Sequence, residues 1–170
     1  MLCDTPLLLY ILKKFNTPFC DRIFSNASEQ FSLLVRDNGF PCAVAPTLGK
    51  FRGPGRKDDP CPYANLLILK WLTLLPNEQD QTYVVASITS LLDLWEERKT
   101  NKQYLFAMGS GFEKIKAPLI WFDILHLVDV LSHFSLSRQD QRFTEMVNLL
   151  FSKTDSDGKF QAESVWRVWK

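Results

Sequence analysis

Asp123 and Asp129 stand where carboxylates are least expected, inside the apolar run LIWFDILHLVDVLSHF. A carboxyl among such neighbours has its pKa raised, because burial disfavours the charged form, and one that keeps its proton near neutrality can serve as a general acid. Structural aspartates share that environment, so Asp123 is a candidate catalytic acid and equally a candidate structural residue. Six positions apart on one helix, the two point to different sides, one toward a cavity and the other toward a neighbouring loop.

A second cluster is basic. GKFRGPGRKDD gathers Lys50, Arg52, Arg56 and Lys57 among glycines, just before an apolar helix. Cationic side chains, backbone amides and a helix N-terminus together favour an anion such as a diphosphate. A solvated loop is the competing reading, and the phosphate-loop pattern GxxxxGK[ST] is not met. KTDSDGKFQAES invites comparison with a calcium-binding loop, but Lys153 and Ser164 occupy the first and twelfth positions, where carboxylates are required. A turn closing a helix is the simpler expectation. Cys3, Cys20, Cys42 and Cys61 form no CxxC pair, so free thiols are expected, although four cysteines leave disulfides open.

These groups must be positioned by helices. Asp4 or Thr5 with Pro6 introduces LLLYILKKF, and Asp59 or Cys61 with Pro60 and Pro62 introduces YANLLILKWLTLL. Val84, Val85, Ile88, Leu91, Leu92 and Trp95 make one helical face. Pro118 is expected to open a helix over 119–134, RQDQRFTEMVNLLFSK makes an amphipathic one, and AESVWRVWK is expected to begin another. No segment shows β-branched alternation, so the fold class is all-α.

Leu33-Leu34, Leu91-Leu92 and Leu149-Leu150 recur at a constant step of 58, as do Leu9, Leu67 and Leu125. Two interleaved series with one period imply α/α hairpin repeats. Each unit would end its first helix near a Gly-aromatic turn, at Gly39-Phe40, Gly111-Phe112 and Gly158-x-Phe160, glycine suiting the left-handed position after a helix end. Helices 82–98 and 139–153 carry a polar face and should be outer; those at 5–15, 62–75 and 119–134 are apolar on most sides and should be inner. Tyr10, Tyr63, Trp71, Trp121 and Phe122 fall on the inner series, where they either line an apolar cavity or pack as core. About three hairpins in a single domain of 170 residues form an open arc. Because helices run to both ends of the chain, the arc is expected to be incomplete, a fragment of a longer array, and to self-associate through its open ends.

With 20 basic and 19 acidic residues the chain has no whole-molecule field to draw it onto nucleic acid or anionic lipid. Its apolar runs are too short to span a bilayer and no secretory leader is evident, so a cytoplasmic location is expected.

The stretches SKTDSDGKF and VRDNGF resemble the outer-helix endings of the α/α-toroid proteins, which include squalene-hopene-type terpenoid cyclases and protein prenyltransferase β subunits. GRKDDPCPYANLLILKWL is similar to the start of an inner helix in bacterial prenyltransferase-like proteins of unassigned function. The resemblance covers most of the chain diffusely and implies an arc of a toroid around an apolar cavity. It also implies a place for zinc, which prenyltransferases hold with an Asp-x-Cys and a later His: Asp59 and Cys61 match the first part, and His126 lies one turn beyond Phe122, with Trp121 and Phe122 where the His should stand. A helix cap at Asp59, a buried filler at Cys61 and a core His126 are the alternatives, and no cofactor is the expectation. The cyclase DxDD cluster is missing, and Asp58-Asp59 lacks the later aspartate of a DDxxD magnesium motif.

A fold shared with enzymes does not confer their chemistry. The expected function is therefore a non-catalytic module that binds an apolar small molecule or a protein on its concave inner-helix surface. The alternative is an enzyme, or enzyme remnant, acting on an isoprenoid in an aromatic-lined cavity.

Overall fold

The computed structural model describes residues 2–16, 21–51, 59–75, 81–100, 108, 111–117 and 122–165. Among them lie α1 (Asp4–Lys14), α2 (Asp21–Leu34), α3 (Pro62–Leu72), α4 (Thr82–Glu96), α5 (Ile124–Leu131), α6 (Ser135–Arg138) and α7 (Gln141–Phe151), with two short strands, β1 (Lys116–Ala117) and β2 (Ser164–Val165). The chain is mostly helical, as the spacing of its apolar residues requires. No helix among the described residues is long and apolar enough to cross a membrane.

α3 is the centre of the molecule. Nine of its eleven residues are buried, with α1, α4 and α5 packed around it. Phe31 and Phe24 from α2 lie against Trp71, ring centroids 5.4 and 6.4 Å away, so that tryptophan is core and not cavity wall. α1 and α3 run in the same direction: the Cys3 and Cys61 thiols interact near the two N-termini, and Lys70 lies over the Tyr10 ring near the other ends. α5 runs the same way beside α3, because Tyr63 packs on Phe122 at one end and Lys70 meets His126 further along. α4 packs on α2 and α7. Arg142, at the start of α7, reaches Asp93 (2.5 Å) and Glu96 (3.3 Å) near the end of α4.

Two of the Gly-aromatic turns are used alike. The Phe40 carbonyl accepts the Cys61 amide (2.7 Å) at the start of α3, and the Phe112 carbonyl accepts the Ile124 amide (3.0 Å) at the start of α5. Both phenyl rings are buried. Gly39 has φ of +96°, and a Cβ there would come within 2.7 Å of Asn65 Oδ1, so only glycine fits. Asn65 holds this turn, its Oδ1 accepting the Phe40 amide (2.9 Å) while its Nδ2 donates to the Phe40 and Cys61 carbonyls.

Several sequence expectations need correction. Leu33 is 73% exposed, Leu91 is fully buried and Leu149 half-buried, so the first leucine series does not share an environment. α1, expected to be inner, buries only Pro6 and Leu9 of its eleven residues, its main packing among the described residues being against α3. α4, expected to be outer, buries nine of fifteen, enclosed by α2, α3, α6 and α7. The Gly111 turn does not close α4, which ends at Glu96, and Gly111 lies outside the left-handed region.

The described part of the helix expected over 119–134 begins only at Ile124, after an extended Asp123. Residues 164–165 start no helix; they pair in parallel with 116–117. Glu163 explains this, since its carboxylate accepts the Ile115 amide (2.8 Å) and pairs with Lys153 (2.8 Å), drawing the segment extended alongside Ile115. The turn before it is built on Asp155, whose carboxylate accepts the Asp157 and Lys159 amides, with Gly158 at φ of +73°. That carboxylate serves a helix-end turn, as expected.

Candidate functional site

The α3 helix carries a single charged side chain, Lys70, near its C-terminal end. Such a residue in an otherwise apolar helix must find water or a partner, and here it finds both. Its Nζ lies 2.9 Å from His126 Nε2 and 5.2 Å from the centroid of the Tyr10 ring. An ammonium has no lone pair, so with Lys70 protonated Nε2 is the acceptor and the imidazole proton is on Nδ1. Lys70, Asp123, Leu125, His126 and Asp129 together line a cleft of about 260 Å³ between α3 and α5. Burial lowers the Lys70 pKa, and the Asp129 carboxylate opposes the shift.

Asp123 forms the N-cap of α5. With φ of −148° and ψ of 176° it is extended, and its Oδ1 accepts the His126 amide (2.9 Å), which satisfies one of the free amides at a helix start. Its residue is only 2% exposed, and Oδ2 makes no hydrogen bond among the described residues. Burial raises the carboxyl pKa, opposed by the His126 amide and by the Lys116 ammonium. Lys116, half-buried, donates to the Phe122 carbonyl (3.3 Å), and burial lowers its own pKa. The carboxyl expected to have a raised pKa is raised, but it stands at a helix start and not on a helix flank. Asp129 is one and a half turns along α5 and lines the same cleft as Asp123, so the two do not serve different sides.

The residues suggested for zinc are not assembled. Cys61 is the N-cap of α3, whereas His126 stands against Lys70, nine positions along the same helix, about 13 Å at 1.5 Å per residue. No group of three metal-ligating side chains occurs among the described residues. Asp59 precedes the cap and is half-buried. The Cys61 thiol is pushed up to about 12, chiefly by burial and further by the neighbouring Cys42 and Cys3, which is the state of an inert buried thiol and not of a metal-ready thiolate.

Of the residues suggested for ligand binding, Tyr63 and Phe122 are brought together, their rings edge to face at 6.2 Å, and Phe122 packs on Phe112 at 4.9 Å. Both are half-buried, and burial raises the Tyr63 pKa. Lys50 is exposed after the short 3-10 turn Pro46–Leu48. Arg52, Arg56, Lys57 and Trp121 lie outside the described residues. Lys70 was legible only as an interruption of an apolar run; the signal that marks it is a lone charge on a helix apolar on every face. Comparison with protein-family models, with curated proteins and with solved structures returned no match to this chain.

Proposed function

We propose that the chain is a helical binding module that holds a small molecule in the cleft between α3 and α5 without transforming it. One observation carries this reading: Lys70, the one charge on an otherwise apolar helix, meets His126 Nε2 at 2.9 Å in a cleft that Leu125 and the exposed Asp129 also line. A few polar groups set in an apolar wall fix the orientation of a small ligand that hydrogen-bonds to them. The ligand would place an apolar body against Leu125 and a hydroxyl or similar polar group near Lys70 and Asp129, within about 260 Å³. Drug-sized sites begin at roughly 300 Å³, so the occupant is small.

The finer architecture, an arc of an α/α toroid in which α1, α3 and α5 stand side by side in one row, belongs to the same proposal. Its support is the common direction of these helices, contact between side chains 56 to 60 positions apart along them, and the shared docking of Phe40 and Phe112 onto the next helix of that row. Benzyl alcohol titrated into ¹⁵N-labelled protein tests the reading. Saturable shifts confined to the amides of Leu125 to Asp129 and residues near Lys70 are expected; shifts spread over the exposed surface, or none at millimolar concentration, would refute it.

A second reading, an enzyme acting on an isoprenoid, is favoured by the burial of the Asp123 carboxyl, which raises its pKa above that of an ordinary carboxyl. Conversion of a C10 or C15 isoprenoid alcohol by the wild type, lost in Asp123→Asn, would replace the binding module with this one.

A further inference from the structure

The same cleft contains a primary amine in contact with a proton acceptor. Lys70 Nζ is 2.9 Å from His126 Nε2, and Asp123 and Asp129 line the space around it. We infer that Lys70 is a nucleophilic amine that captures aldehydes and ketones in the cleft as a reversible imine, with His126 receiving the lysine proton. This rests on the cleft being a ligand site and names the carbonyl compounds as the class that it takes.

The step balances without an oxidant or reductant. The ammonium gives a proton to His126 Nε2, and the freed lone pair attacks the carbonyl carbon. A C–N bond forms while the π pair moves to oxygen, which takes the proton back from His126. The nitrogen gives its second proton to His126, leaving a carbinolamine; His126 passes that proton to the hydroxyl, the C–O bond breaks as the nitrogen lone pair closes on carbon, one water leaves, and a protonated C=N bond remains. The Asp129 carboxylate, which lines the same cleft and acts on Lys70, offsets the charge of the protonated imine. Two features favour Lys70 over the exposed lysines. Burial lowers its pKa, so more of it is the free amine near neutrality. Its side chain is also placed by the Tyr10 ring and by His126, whereas Lys50 and Lys159 are solvated.

The test uses benzaldehyde as probe with sodium cyanoborohydride at pH 7, and peptide mass mapping to locate the reduced adduct. Modification of Lys70 at least tenfold faster than of any other lysine is expected, and His126→Gln should slow it by a similar factor while the exposed lysines react unchanged. Because the map is made on the wild-type chain, it does not depend on a variant that must fold. Even labelling of all lysines, or labelling that spares Lys70, overturns the inference. Benzyl alcohol separates the two claims: if it shifts the cleft amides while Lys70 is not trapped, imine capture fails and the binding site stands. If it shifts nothing, the binding site itself fails.

Discussion

Replacing Asp123 by asparagine should stabilise the protein at neutral pH and have little effect in acid. In the folded chain Oδ1 caps α5 through the His126 amide, and Oδ2 is buried without a hydrogen bond among the described residues. Asparagine keeps the acceptor and is as good a cap as aspartate. It exchanges an unpaired charged oxygen for an unpaired neutral amide, which is less costly to bury by on the order of 1–2 kcal/mol, and gives up the attraction between that carboxylate and Lys116. The net gain worked from these terms is about 1 kcal/mol at pH 7, or roughly 2–4 °C in Tm for a domain of this size.

The sign of the pH dependence follows from linkage. The folded Asp123 binds its proton more tightly than the unfolded chain, whose carboxyl has the ordinary value of 3.8, because burial outweighs its partners. Its contribution to stability is therefore fully present below 3.8 and declines as pH rises to the folded value. The asparagine variant has no such decline, so its advantage should open between acid and neutral pH. Urea unfolding followed by tryptophan fluorescence from pH 3.5 to 8 measures it. Asp123→Ala is the control: it loses the cap and should cost about 0.5–2 kcal/mol. An asparagine variant destabilised by more than about 1 kcal/mol at pH 7, or a difference that does not change with pH, would refute the reasoning.

Other outcomes can be checked on the same protein. Asn65→Ala leaves the buried Phe40 amide without its acceptor and opens a small cavity, which should lower stability by about 2–4 kcal/mol, read from the urea midpoint. The Phe40 and Cys61 carbonyls keep the Cys61 and Asn65 amides, so a larger loss would mean that more than this turn is affected. With its thiol pushed up to about 12, Cys61 should resist iodoacetamide at pH 8 in folded protein and react at once in urea; rapid modification of native Cys61 would contradict its burial. Leu8 on α1 is 60% exposed beside Leu7 and Ile11, so Leu8→Lys should change stability by less than about 0.5 kcal/mol. It should also reduce any association seen by sedimentation at high concentration, and an unfolded or unchanged variant would argue against a free apolar edge there.

Much of the helix plan was readable from apolar spacing. α3 and α7 begin and end close to where periodicity, proline and glycine put them, since these signals act over a few residues. The Gly39 turn was readable for the same reason: an aromatic after glycine at a helix end has few places to go. The start of the described α5 was not, because Asp123 sits in a continuous apolar run whose periodicity hides a cap. The extended course of 164–165 was also hidden, since Glu163 finds Ile115 and Lys153 only after folding.

The cleft belongs wholly to the second kind of information. Local sequence could say that Lys70, Asp123 and His126 are polar residues among apolar ones and must find partners if buried. It could not say that they would find one another. Lys70 and His126 are 56 positions apart, and their contact depends on α3 and α5 lying side by side in the same direction at one register. That register is set by side chains on both helices at once, through Tyr63 on Phe122 and Phe112 over the start of α5, a condition no single segment contains.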